Sequence, residues 1–228
     1  ENFPIDWATS RLNLGNTLTH LTKFDLRTDL LEEAVDAYND ALQIYNREKF
    51  PLDWASVQNN LGAVYQTLGQ RTGDPSKMEE SVAAFRLAAE VYTRDAFPLD
   101  WAMTRYNAGN TLQLLGGMTT DPERHREAAQ SYRESLAEYR RDIWPHQWAL
   151  AQAGIASTLF WLSNSEEGTA SLVESIAARR ASLEVLSFEN TPVDWANAQS
   201  GLGMALLNLG TREGTCKYLD EATGAFNA

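Results

Sequence analysis

The sequence predicts an all-α solenoid of antiparallel helix pairs, on three observations. A phrase of the form aromatic-Pro-x-Asp-Trp-Ala returns along the chain, and its tryptophans, Trp7, Trp54, Trp101, Trp148 and Trp195, are each 47 residues apart with no insertion or deletion between them. Each period contains apolar residues at the 3.6-residue spacing of an amphipathic helix. No stretch shows the pattern of a strand. Self-similarity at a fixed period of this length marks a stack of supersecondary units, each burying its apolar face against its neighbours. The expected organisation is a single domain over 1–228, cut from a longer protein. Its repeats run approximately over 1–48, 49–95, 96–142, 143–189 and 190–228, the last truncated.

The phrase opens the first helix of each repeat, helix A. It reads Phe3-Pro4-Ile5-Asp6-Trp7-Ala8, Phe50-Pro51-Leu52-Asp53-Trp54-Ala55 and Phe97-Pro98-Leu99-Asp100-Trp101-Ala102. Looser copies follow from Trp144 to Ala149 and from Thr191 to Ala196. Asp6, Asp53, Asp100 and Asp194 stand where a side-chain oxygen would cap free backbone N–H groups. Trp7, Leu14, Leu18 and Leu21, like Trp54, Leu61, Tyr65 and Leu68, form one apolar stripe per helix. Gly69, Gly116 and Gly210 suit the left-handed position that ends a helix.

Helix B begins at a second signal. Asp74-Pro75 and Asp121-Pro122 set proline in a first turn, and Ser76-x-x-Glu79 and Ser171-x-x-Glu174 read as capping boxes. The helix then carries a small-aromatic-small pattern: Ala34, Tyr38 and Ala41; Ser81, Phe85 and Ala88; Ala128, Tyr132 and Ser135. Small residues let a neighbouring helix approach, and the aromatic fills the gap. The fifth copy stops shortly after Ala222 and Phe226.

Composition narrows the function. With 19 Lys plus Arg against 31 Asp plus Glu, the net charge is −12, a potential that repels phosphate backbones, so nucleic acid is not an expected partner. No apolar run is long enough to span a bilayer, and no membrane contact is expected. The single Cys216 excludes a disulfide within the chain and fits a reducing, cytoplasmic compartment.

Leu61-Gly62-x-x-Tyr65, followed by the small-x-x-x-aromatic of helix B and a later proline, resembles the tetratricopeptide repeat. The period of 47 in place of 34, and a tryptophan seven residues before the leucine, depart from that pattern and imply longer helices and a longer loop. Asn59-Asn60-Leu61-Gly62 is similar to the long repeats of kinesin light chains and of bacterial signalling proteins. The resemblance implies a right-handed superhelix whose concave groove, lined by A helices, holds a peptide or helix of a partner protein, or a segment of the full-length chain itself.

Candidate binding residues follow from angular position on helix A. Relative to the recurring leucine, the residue before it lies about 100° away and the residue two later about 160° away, off the core stripe. Asn13, Asn60 and Asn107 occupy the first position, and Asn16 and Asn110 the second. Asn59, Gln66, Tyr106 and Gln113 flank the stripe, and Trp161 falls on the same side in the fourth copy. Amides offer donor and acceptor together, so a ladder of them suits the backbone of an extended peptide. The competing reading is that they are solvated or tie neighbouring helices together. Trp161 likewise reads either as an exposed anchor or as a side chain packed beneath the next repeat. Basic residues are scarce on this floor, and Arg11 and Arg105 read as packing or ion-pair residues.

Nothing points to catalysis or to a cofactor. His20, His125 and His146 lack a second ligand at metal-binding spacing and read as surface residues, and Cys216 has no histidine near it in sequence. The expected function is a protein-interaction scaffold. The alternative is a self-assembly module that oligomerises by stacking end to end.

Overall fold

A computed structural model describes residues 3–227, and every regular element among them is a helix. The contacts form two compact units, one up to Thr119 and one from Thr120 onward, dividing inside the third repeat. The first unit contains α1 (Phe3–Leu21), α2 (Asp29–Leu42), α3 (Pro51–Thr72), α4 (Pro75–Ala89) and α5 (Pro98–Thr119). The second contains α6 (Pro122–Ser135), α7 (Pro145–Leu162) with a 3₁₀ turn at Ser163–Ser165, α8 (Ala170–Leu183), α9 (Pro192–Glu213) and α10 (Cys216–Asn227). Within each unit, consecutive helices pack on one another.

From α3 onward the A helices start at the proline rather than at the aspartate. Phe50, Trp144 and Thr191 hold the N-cap position without a side-chain cap bond, and proline follows at the first helical turn. The ring presets φ and has no N–H to leave unpaired. Asp53 and Asp194 therefore lie inside the first turn, where their charge meets the positive end of the helix dipole instead of capping it. The recurring tryptophan packs under a side chain from the turn before it. Arg47, Arg94 and Arg141 stand 5.8, 5.8 and 5.2 Å from the rings of Trp54, Trp101 and Trp148. Phe188 takes the same register position and meets Trp195 edge-on at 5.5 Å.

At helix B the prolines stand in the first turn as expected, and the aspartates before them are the caps: Asp74 accepts from the backbone N–H of Ser76 at 2.8 Å and Asp121 from that of Glu123 at 2.9 Å. The capping boxes do not form. Ser76 gives its N–H to Asp74, and Ser171 donates its hydroxyl to Glu166 at 2.5 Å. The small-aromatic-small positions are buried in α2, α4 and α6. A Cβ at Gly15 would stand 2.6 Å from the Tyr38 ring, and one at Gly62 would stand 2.7 Å from Phe85, so glycine there sets the approach of helix A to helix B.

Gly69 and Gly210 act in the same way and do not end their helices. Both are buried, and a Cβ on either would press on the start of helix B. The left-handed residues come four positions later, at Gly73 (φ 69°) and Gly214 (φ 64°), with Thr120 (φ 54°) in the same register of the third repeat. Where Thr22 and Ser163 replace that packing glycine, helix A ends early and a longer loop leads to helix B. An arginine holds each of those loops. Arg71 donates to the carbonyls of Thr22, Asp25 and Arg27 at 2.6, 3.2 and 3.3 Å. Arg212, three periods on, donates to those of Ser163, Glu166 and Gly168 at 3.0, 3.4 and 3.1 Å.

The predicted stripe is more fully covered in the second repeat than in the first, where only Leu18 is buried. Leu61 and Leu68 keep 3% and 4% of their surface, within a cluster that joins α1, α2 and α3. Trp7 and Leu14 keep 42% and 41%. These positions are covered by helix B of the preceding repeat, and among the described residues none precedes α1.

Candidate protein-binding faces

In the first unit the A helices present side-chain amides, some of them tied to one another. Asn16 accepts from the Tyr38 hydroxyl at 2.8 Å and from the Asn60 side-chain N–H at 3.0 Å, which links α1 to α3. Asn59 accepts from the Thr104 hydroxyl at 3.3 Å, linking α3 to α5. Asn13 is exposed, while Gln66, Tyr106, Asn107, Asn110 and Gln113 are half-buried. The fold thus brings Asn16 and Asn60 together across repeats and gives them a structural bond. One amide can make several hydrogen bonds, so a bond of this kind leaves capacity for a partner. Arg11 pairs with Asp40 at 2.5 Å, and Arg105 stands 5.8 Å from the Trp101 ring, the packing and ion-pair roles expected of them.

In the second unit the corresponding positions are small or apolar. Gly154, Ser157 and Trp161 follow one another along one face of α7, and Gly201 and Met204 of α9 occupy the registers of Gly154 and Ser157. Trp161 is 53% exposed, its ring 6.0 Å from Phe160 in an edge-on arrangement. Met204 is 46% exposed.

Beneath this face lies a residue that the sequence reading missed. Arg179 of α8 occupies the register of Tyr38, Phe85 and Tyr132 and keeps 7% of its surface. Its Nη2 donates to the Ser157 hydroxyl at 2.6 Å, and burial pulls the guanidinium down to about 10. Aligning the helix-B copies on the 47-residue period would have exposed the exception, since arginine there interrupts a run of aromatics.

The histidines divide. His20 is exposed, and His146 lies 3.9 Å from Asp194. His125 is buried rather than on the surface, because it stands at the core register of Leu31, Met78 and Leu172; burial holds its pKa below the ordinary histidine value. Among the described residues no three His, Cys, Asp or Glu side chains are grouped to hold a metal ion, and no helix is long and apolar enough to cross a membrane.

No protein-family model and no curated protein matches the sequence. Solved structures do match in fold. BtubC (BKLC) from P. vanneervenii is 15% identical with a TM-score of 0.56, over 96% of this chain and 89% of that one. MamA is 15% identical with a TM-score of 0.54, over 96% of this chain and 92% of that one. Together with ten helices in adjacent pairs and no strand among the described residues, these likenesses show that the chain has the tetratricopeptide-like, all-α solenoid fold.

Proposed function

We propose that the chain is a docking scaffold without catalysis, in which the A-helix face of each unit holds a peptide or helix of a partner protein or of its own full-length chain. Trp161 carries the reading. A tryptophan 53% exposed on a face that is small and uncharged around it is the side chain that most often anchors a protein interface. The amides of the first unit supply the polar counterpart: Asn13, Asn60 and Asn107 recur in one register, and amides pair with peptide backbone whatever its side chains. The unbroken register through residues 119 and 120 supports reading 1–228 as one array, and the lone Cys216 fits a cytoplasmic setting.

The test is affinity selection from a random peptide library with the wild-type chain, Trp161→Ala, and the Asn60→Ala, Asn107→Ala pair. Retention by the wild type and at least tenfold loss in one variant, with an unchanged circular dichroism spectrum, is the expected result. Equal retention by all three would remove the A-helix face from the proposal.

A second reading rests on α1, whose Trp7, Leu14 and Leu21 are exposed at positions that the second repeat covers. Exposed apolar side chains of this kind suit association with a second copy. Sedimentation across a hundredfold dilution separates the readings, since stacking makes the mass depend on concentration.

A further inference from the structure

One register of helix B holds Tyr38, Phe85, Tyr132, Arg179 and Phe226, each 47 residues after the last. An aromatic ring is desolvated at this position without penalty, whereas a guanidinium is not. Of the five N–H donors of Arg179 one is bonded to the Ser157 hydroxyl, while the Nε–H is buried without a hydrogen-bond partner. Desolvation acts on it with no carboxylate opposing, in a chain that carries 31 acidic residues elsewhere.

The surroundings are shaped to this side chain. A Cβ at Gly201 would stand 2.7 Å from both Cζ and Nη2 of Arg179, so a larger residue there would displace the guanidinium from its place against α9. Ser157 is short and bonds it from α7. Trp161 lies one turn beyond Ser157 on the same face of α7, and Met204 lies one turn beyond Gly201 on α9; both are exposed.

We propose that Arg179 recognises a glutamate or aspartate side chain of a partner peptide, presented beside an apolar residue that packs on Trp161 and Met204. This deepens the docking reading and rests on it. A guanidinium is a planar fork matched to carboxylate, and a charge-assisted bond to a desolvated one is stronger than to an exposed one. A single guanidinium in a chain of net charge −12 favours a monoanion over a phosphate dianion. The recessed position favours a carboxylate on a flexible stem over a chain terminus, whose own backbone would have to enter between α7 and α9. The first unit has Tyr38 and Phe85 at this register, so acid preference belongs to the second unit.

The test is selection from two synthetic random peptide libraries, one with amidated and one with free C-termini, against the wild-type chain, Arg179→Met and Arg179→Tyr. The expected peptides share one acidic position beside an apolar residue in both libraries. Changing that acid to Gln or Asn should weaken wild-type binding at least tenfold and leave binding to both variants unchanged. That peptide exchange leaves the protein intact, so it reads recognition without any effect on folding. Peptides selected without an acidic position, or equally sensitive to the exchange in the variants, overturn the role of Arg179 and leave the docking face standing. Acid preference confined to free C-termini overturns the side-chain assignment. No retained peptide in any arm overturns both readings.

Discussion

In the first unit, the positions beneath the A-helix face hold Tyr38 and Phe85, and the face above them is bridged by amides such as Asn16 and Asn60. In the second unit, Tyr132 and Arg179 take those positions, and the face is reduced to Gly154, Ser157 and Gly201 beside Trp161. Tyr38, Phe85 and Phe226 pack on Gly15, Gly62 and Gly203 of their own repeats, and Tyr132 and Arg179 pack on Gly154 and Gly201 of the repeats that follow. One periodic scaffold thus carries two kinds of surface. What a repeat recognises can change without its fold changing, because the core needs only a side chain of suitable volume in each gap.

Substitutions at this shared register test the contrast most strongly. Phe85→Ala should cost about 3–5 kcal/mol through the cavity it leaves. Arg179→Tyr, which restores the aromatic, should gain about 1–3 kcal/mol, because an unpaired buried charge is replaced by a ring whose hydroxyl can meet Ser157. Urea unfolding of both variants reads the difference. A loss on Arg179→Tyr would mean that the guanidinium stabilises the second unit and that the two cores are energetically alike.

A smaller effect tests where the units agree. Arg71→Ala and Arg212→Ala should each cost about 1.5–3 kcal/mol, the range for hydrogen bonds to a charged group. Each should also speed amide exchange in its own loop, residues 22–28 or 163–169, and not in the other. Loosening of only one loop would show that equal geometry conceals unequal dependence.

The smallest effect concerns pH. Burial depresses the pKa of His125, with Asp121 opposing weakly, so the folded state prefers the neutral ring. That contribution is complete above about pH 6.5, the ordinary histidine value, and is lost as pH falls through the lower folded value. Leucine stands at this register in the first and fourth repeats and methionine in the second, so His125→Leu should flatten the acid side of the stability profile between pH 7.5 and 5. A variant as acid-sensitive as the wild type would assign that slope to other groups.

The fold was legible because the 47-residue period and the 3.6-residue stripe are properties of the chain itself, which dictate what each helix must bury. Local start signals were only partly legible. Pro75 and Pro122 open helix B as predicted, while Asp53 does not cap helix A, because Pro51 already starts the helix two residues earlier. The face proposed for docking was legible in the angular position of its residues but not in their state. Angle on a helix places Asn60 and Trp161 off the core, yet only the structure shows Asn60 bonded to Asn16 and Trp161 open to solvent.

By itself, then, the sequence determined the repeat, the helix pairs and the gaps that aromatics fill, since these depend on spacing within one repeat. Tertiary structure decided which glycines receive a neighbouring side chain, that His125 and Arg179 are buried, and that Trp7, Leu14 and Leu21 of α1 are exposed. Burial depends on what an adjacent repeat places against a residue, and that neighbour comes from tens of residues away in the chain.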